Sequence, residues 1–163
     1  MRQVEVRLNL DAVAPLLDII KAAVDHLRAA LAVDQQVPAP EADAELAAHW
    51  QDELLRTQSD DLGVLLALFD REFFRTGLVV FNDENSEPIL RACTAVRLRL
   101  RATGLHALAD DCLETGEVPL GRMPEAQRRV FASYVFLATL QELILQHLDP
   151  SEPNPDDPAG TEE

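Results

Sequence analysis

The chain has 163 residues, a mass of 18.1 kDa and a formal net charge of −15, from 14 Lys and Arg against 29 Asp and Glu. Apolar residues at 47 % and charged residues at 26 % exclude a disordered or fibrous chain, and a globular domain of this length buries roughly 70 % of its unfolded surface, enough to hold a core without disulfide or metal. The acidity excludes nucleic acid, whose phosphates need a basic footprint, and adsorption to an anionic membrane surface.

At the N-terminus, Val4, Val6 and Leu8 alternate with Glu5, Arg7 and Asn9. The period of two predicts a short half-buried strand and leaves no apolar run for a signal peptide. Asn9 or Asp11 can cap a helix carrying Val13, Leu16, Leu17, Ile20, Val24, Leu27 and Leu31 at spacings of three and four. Pro38 and Pro40 break the pattern, and Glu41 to Arg56 restart it with Leu46, Ala47, Trp50, Leu54 and Leu55. Ser59-Asp60-Asp61 reads as a second helix start, ahead of Leu62, Leu65, Phe69, Phe73 and Phe74. The pattern does not decide whether the helices over 41–56 and 60–76 are continuous. Gly77 stands where a C-terminal cap belongs.

Leu78 to Phe81 is a strand-like run before the turn-rich Asn82-Asp83-Glu84-Asn85, and it is the expected partner of the first strand. Two strands alone are marginal and have to pack on helices. Ile89, Cys93, Val96 and Leu100 form the seam of the next helix, which stops at Gly104. A short helix is predicted over Leu105 to Leu113, then a loop through Gly121, and Pro124 is expected as the first position of the last helix. From Val130 to Leu148 that helix is apolar on nearly every face, which places it in the middle of a bundle or against a second subunit. Its longest charge-free part falls well short of the ~20 residues of a membrane span.

The expectation is therefore one mainly α domain over residues 1–148. Five or six helices surround the C-terminal helix, with a two-stranded ribbon from Val4–Leu8 and Leu78–Phe81. Residues 149–163 hold four Pro, six acids and no base, and are expected to form a disordered tail. Without those six acids the formal charge of residues 1–148 is −9, from 14 basic and 23 acidic residues.

Few constellations suggest chemistry. Glu45, His49 and Glu53, with Asp52 beside them, stack on one helical face as a carboxylate–imidazole ladder of metal-ligand type. A di-metal bundle needs that pattern repeated on a facing helix, and it is not repeated, so the face is expected to be solvated beside Trp50. The acid pairs Asp60-Asp61 and Asp110-Asp111 are expected at helix ends as caps. Arg97 and Arg101 share a face while Arg99 points elsewhere, so ion pairing with the abundant acids is expected there. Cys93 and Cys112 belong to no CxxC pair, and each falls on an apolar face, as a buried free thiol would. No cofactor is expected, and the cytoplasm is the default compartment.

The large apolar payloads are Trp50, Phe73, Phe74, Tyr134 and Phe136. What one core cannot absorb of them is expected to form a face for a protein partner or for a homodimer. The leading reading is a non-enzymatic interaction or regulatory protein. Its rivals are a small metal protein or enzyme using Glu45, His49 and Glu53, and a ligand-sensing helical domain.

Taken end to end, the chain resembles a bacterial family of unknown function, small acidic helical proteins often encoded near the adaptor of the Clp protease. The resemblance lies in Val6 to Leu10 with Leu16 to Leu27, and in Asp52 to Arg56 with Asp60 to Leu62. It continues in Leu98 to Leu105 and in Leu137 to Ile144. Tyr134, Val135 and Phe136 stand where that family often has a tryptophan-rich late helix. The resemblance implies an accessory role, in regulated proteolysis, and brings no catalytic residue.

Overall fold

In the computed structural model, which describes residues 2–34 and 44–148, the N-terminal alternation forms strand β1 (Gln3–Arg7). It pairs antiparallel with β2 (Leu78–Asn82), Val4 opposite Phe81 and Val6 opposite Val79. The two-stranded ribbon expected from the sequence is present. Arg2 closes its far end on Asp83, with backbone N 2.9 Å and Nε 3.1 Å from the carboxylate. Asn82 and Asn85 build the turn that follows. The Asn85 amide donates to the Val80 carbonyl at 2.9 Å, and the Asn82 side chain accepts from the backbone of Glu84 and Asn85.

Helix α1 (Leu10–Asp34) starts at Asn9, whose Oδ1 accepts from the backbone N–H groups of Asp11 and Ala12. Helix α2 (Ala44–Ala67) runs unbroken through Ser59-Asp60-Asp61, so that segment is no helix start. No Pro or Gly interrupts it before Gly63, and Asp61 points its carboxylate to another helix instead of capping this one. The start signal belongs to Asp70, whose Oδ1 accepts from Phe73 N at 2.9 Å and opens α3 (Arg71–Thr76). Gly77 ends α3 in the left-handed region at φ 73°, its N–H bonded to the Phe73 carbonyl. A Cβ there would meet the Leu8 carbonyl oxygen at 2.8 Å, so only glycine fits this junction with β1.

Helix α4 (Ser86–Thr103) holds Ile89, Cys93, Val96 and Leu100 in the core, as the seam predicts. The expected helix over Leu105 to Leu113 is displaced. Residues 105–109 form turns around the buried Leu105, and α5 is Asp110–Thr115, with both aspartates in its first turn. Leu105 is the physical reason, because its side chain plugs the core at the end of α4. Pro124 is the N-cap rather than the first residue of α6 (Glu125–His147).

Among the described residues there are six helices and the ribbon, a mainly α fold. Helix α6 packs on α1 and α4, and α4 also packs on α1 and α2, so α4 and α6 share the centre of the bundle. At the end of α4 the chain passes close to α6, and a Cβ at Gly104 would lie 2.8 Å from a Val130 methyl. The core is one cluster from Val13 to Leu148, led by Ile20, Leu62, Leu65, Phe73, Phe81, Ile89, Leu137, Leu140 and Ile144. The Pro38–Pro40 break and the tail 149–163 lie outside the described residues.

Candidate functional site

Helix α2 has two halves with different surroundings. From Asp61 onward it buries Asp61, Leu62 and Leu65 against the bundle. Between Glu45 and Thr57 nothing is buried, and only Ala47 and Leu55 are half-covered. Leu46, Trp50 and Leu54 are 63 %, 60 % and 65 % exposed. Side chains four apart on a helix lie above one another, so the three form one apolar row about 12 Å long on a projecting helix. Scattered exposed apolar residues are ordinary, whereas an aligned row with a tryptophan at its centre is not.

Of the candidate ligands, His49 and Glu53 border this row, while Glu45 and Asp52 lie toward the opposite face of the helix. His49 Nε2 lies 3.3 Å from Glu53 Oε1, and both side chains are well exposed. Glu45 and Asp52 are exposed as well. Among the described residues no group of three or more His, Cys, Asp and Glu is close enough to hold a metal ion. Of the ladder, His49 and Glu53 form an exposed pair on the helix that carries Trp50.

At the base of the row, Leu54, Thr57, Gln58, Asp61, Arg91 and Ala92 line a groove of about 360 Å³ between α2 and α4. On its floor Arg91 Nε and Nη2 donate to the two oxygens of Asp61 at 2.8 and 2.9 Å, a bidentate pair. The Asp61 side chain is 9 % exposed and the Arg91 side chain 46 %. Arg91 Nη1 also donates to Glu87 at 2.8 Å. The Asp61 hydrogen bonds raise the Arg91 pKa above the ordinary guanidinium value against the cost of its partial burial. Asp61 is thus a clamp between helices rather than a cap.

The remaining aromatic candidates divide by burial. Phe73 is fully buried and Tyr134 nearly so. Phe136 is half-buried, its ring 6.1 Å from that of Phe69, which meets Phe73 edge-on at 5.2 Å. Phe74 is 53 % exposed beside Phe73. Phe73 and Tyr134 therefore belong to the core, and Trp50 and Phe74 are at the surface, on different helices.

Arg97 and Arg101 of α4 are engaged within the fold. Arg97 donates to Gln141 Oε1 at 2.7 Å and to Tyr134 OH at 3.1 Å, and its guanidinium stands 4.6 Å from the Tyr134 ring centroid. Gln141 in turn donates to the Leu90 carbonyl and to Thr94, which makes a polar seam between α4 and α6. Arg101 pairs with Asp110 at the start of α5. Cys93 and Cys112 are both free. Burial pushes the Cys93 thiol up to about 12, only weakly opposed by the charge of Arg97, so it is a packing group and no nucleophile.

Leu46 and Leu54 were visible in the sequence only as members of a helical apolar pattern, which any core helix shares. The buried partner of Arg91 had no local signal at all, since thirty residues separate the two. Comparison with protein families gives a match over residues 7–148 to a domain of unknown function, DUF2017. Comparison with the curated proteins and with the solved structures gives no match.

Proposed function

Starting from the fact that the chain belongs to the DUF2017 family of domains of unknown function, we propose that it is a non-enzymatic cytoplasmic interaction or regulatory protein. Its working surface is the projecting half of α2. The observation that carries this reading is the exposed row of Leu46, Trp50 and Leu54. Apolar surface of this kind is stabilised by removal from water, at roughly 25 cal/mol per Å², and a partner helix or groove supplies that removal. The two unpaired cysteines accord with a reducing compartment. An accessory role in regulated proteolysis, implied by the family resemblance, is a narrower form of the same proposal. It requires the partner to be a component of a protease system.

Native affinity capture with the full chain and with Trp50→Asp tests the reading. Trp50 contributes nothing to the core, so the variant keeps its helical circular dichroism. The expected result is a specific protein held by the wild-type chain and lost at least 10-fold by the variant. Identical captures on both would refute it.

A further inference from the structure

We propose that the cleft between α4 and α6 at Arg97 is a binding site for a small monocarboxylate. It shares no residue with the row on α2 and stands or falls independently of that row. Thr94, Arg97, Leu98 and Arg101 fall at i, i+3, i+4 and i+7 on one face of α4, and with Tyr134 of α6 they line a cleft of about 180 Å³. That volume holds about six water molecules at roughly 30 Å³ each, which is the space of a short-chain acid.

The two arginines differ in their partners. Arg101 pairs with Asp110. Arg97 has no carboxylate within ion-pair distance among the described residues, although the chain holds 29 acids. Its Nη1 and Nη2 donate instead to neutral oxygens, the Gln141 amide and the Tyr134 hydroxyl. Its Nε is shut off from solvent and has no acceptor among the described residues. A guanidinium carries five N–H donors, so three of those on Arg97 have no protein acceptor there. The Tyr134 hydroxyl accepts from Arg97, and its own proton likewise has no acceptor among the described residues.

Charge arithmetic selects the ligand. Arg97 and Arg101 against Asp110 leave the cleft with one net positive charge, and arginines four apart on a helix repel each other. A monoanion brings the sum to zero and relieves that repulsion. A phosphate dianion overshoots to a net negative charge, in a protein that already carries −15. The remaining acids oppose an anion only weakly, because charges beyond roughly 10 Å are screened at 0.1 M salt. A planar carboxylate matches the guanidinium fork, and the exposed Leu98 gives a short alkyl chain an apolar wall. The Thr94 hydroxyl is committed to the Leu90 carbonyl and the Gln141 amide, so polar recognition falls to Arg97, Arg101 and Tyr134.

Tyr134 is the single tyrosine of the protein, so labelling tyrosine with 13C at Cζ gives one NMR signal, at the site. The test titrates the full chain with sodium butyrate to 50 mM at pH 8 and constant ionic strength. Butyramide and inorganic phosphate, there mainly the dianion, are the comparisons. The expected result is a saturable shift with butyrate, half-complete at roughly 1–10 mM, with weaker binding of phosphate and no saturation with butyramide. Arg97→Gln weakens binding at least 10-fold and Arg101→Gln about 3-fold. Asp110→Asn tightens it about 3-fold, because it frees Arg101 and raises the charge of the cleft. The side chains of Arg101 and Asp110 reach the surface, so those two variants keep the wild-type circular dichroism. They decide the matter even where Arg97→Gln, which cuts the seam between α4 and α6, costs the fold. A shift that grows linearly to 50 mM, or an equal response to butyramide, overturns the site. So does butyrate binding unchanged by Arg101→Gln or by a folded Arg97→Gln. Phosphate binding as tight as butyrate, or Asp110→Asn binding no better than the wild-type chain, overturns the charge balance on which the choice of a monocarboxylate rests.

Discussion

Removing either partner of the Asp61–Arg91 clamp should destabilise the protein by unequal amounts, and the inequality follows from their burial. Arg91→Ala leaves a carboxylate that is 9 % exposed with two oxygens stripped of their bidentate donor. An uncompensated buried charge costs about 3–5 kcal/mol, and water entering the adjoining groove reduces this to roughly 2–3 kcal/mol. Asp61→Asn leaves a guanidinium that is 46 % exposed and keeps its bond to Glu87, so its charge stays solvated and paired. The loss is then that of one half-exposed ion pair replaced by a neutral hydrogen bond, about 1 kcal/mol. Urea unfolding at pH 7 measures both, with an unchanged m-value as the check that only stability has moved. Equal losses, or a larger loss for Asp61→Asn, would refute the reasoning. So would losses below about 0.5 kcal/mol for both variants, because the clamp would then contribute nothing to fixing α2 on α4.

Further predictions concern backbone and thiol. Gly77→Ala should cost about 2–4 kcal/mol, since it combines a left-handed backbone with a Cβ 2.8 Å from the rigid Leu8 carbonyl. Gly104→Ala should cost about 1 kcal/mol, because the Val130 methyl it meets belongs to a side chain, and Val130→Ala should recover part of that loss in a double-mutant cycle by thermal unfolding. Burial holds Cys93 protonated up to about 12, well above the ordinary thiol range, so the unfolded chain releases its proton first as pH rises. Stability from this group is complete below about pH 9 and is lost between about 9 and 12, roughly 1–2 kcal/mol of it by pH 10. Cys93→Ala should flatten that alkaline limb, and a limb unchanged by the substitution would contradict the assignment. In the native protein Cys112, half-buried, should react with a thiol reagent ahead of Cys93.

Much of the fold was legible because its signals are local. The alternation of Val4 and Val6 marks a strand whatever it pairs with, and Asn9 and Gly77 act on backbone groups within a few residues of themselves. The seam from Ile89 to Leu100 is a property of one helix, so its spacing alone predicts the buried face. Signals with two uses failed. Ser59-Asp60-Asp61 reads as a cap in any sequence, and only the arrival of Arg91 from α4 makes Asp61 a clamp inside a continuous helix. Leu105 and Leu108 keep a helical spacing, yet the chain turns there because the core draws in Leu105. The same limit governs the candidate site. Helical period shows that Leu46, Trp50 and Leu54 share a face, and composition shows an acidic protein with one tryptophan. Neither says whether that face is covered, because burial depends on which other elements reach it. The sequence by itself determined most of the elements, the ribbon and the shared face of Leu46, Trp50 and Leu54 on α2. The tertiary structure decided that Phe73 and Tyr134 go inward and that the row on α2 is left facing water, because among the described residues the buried side chains of that helix all lie in its far half.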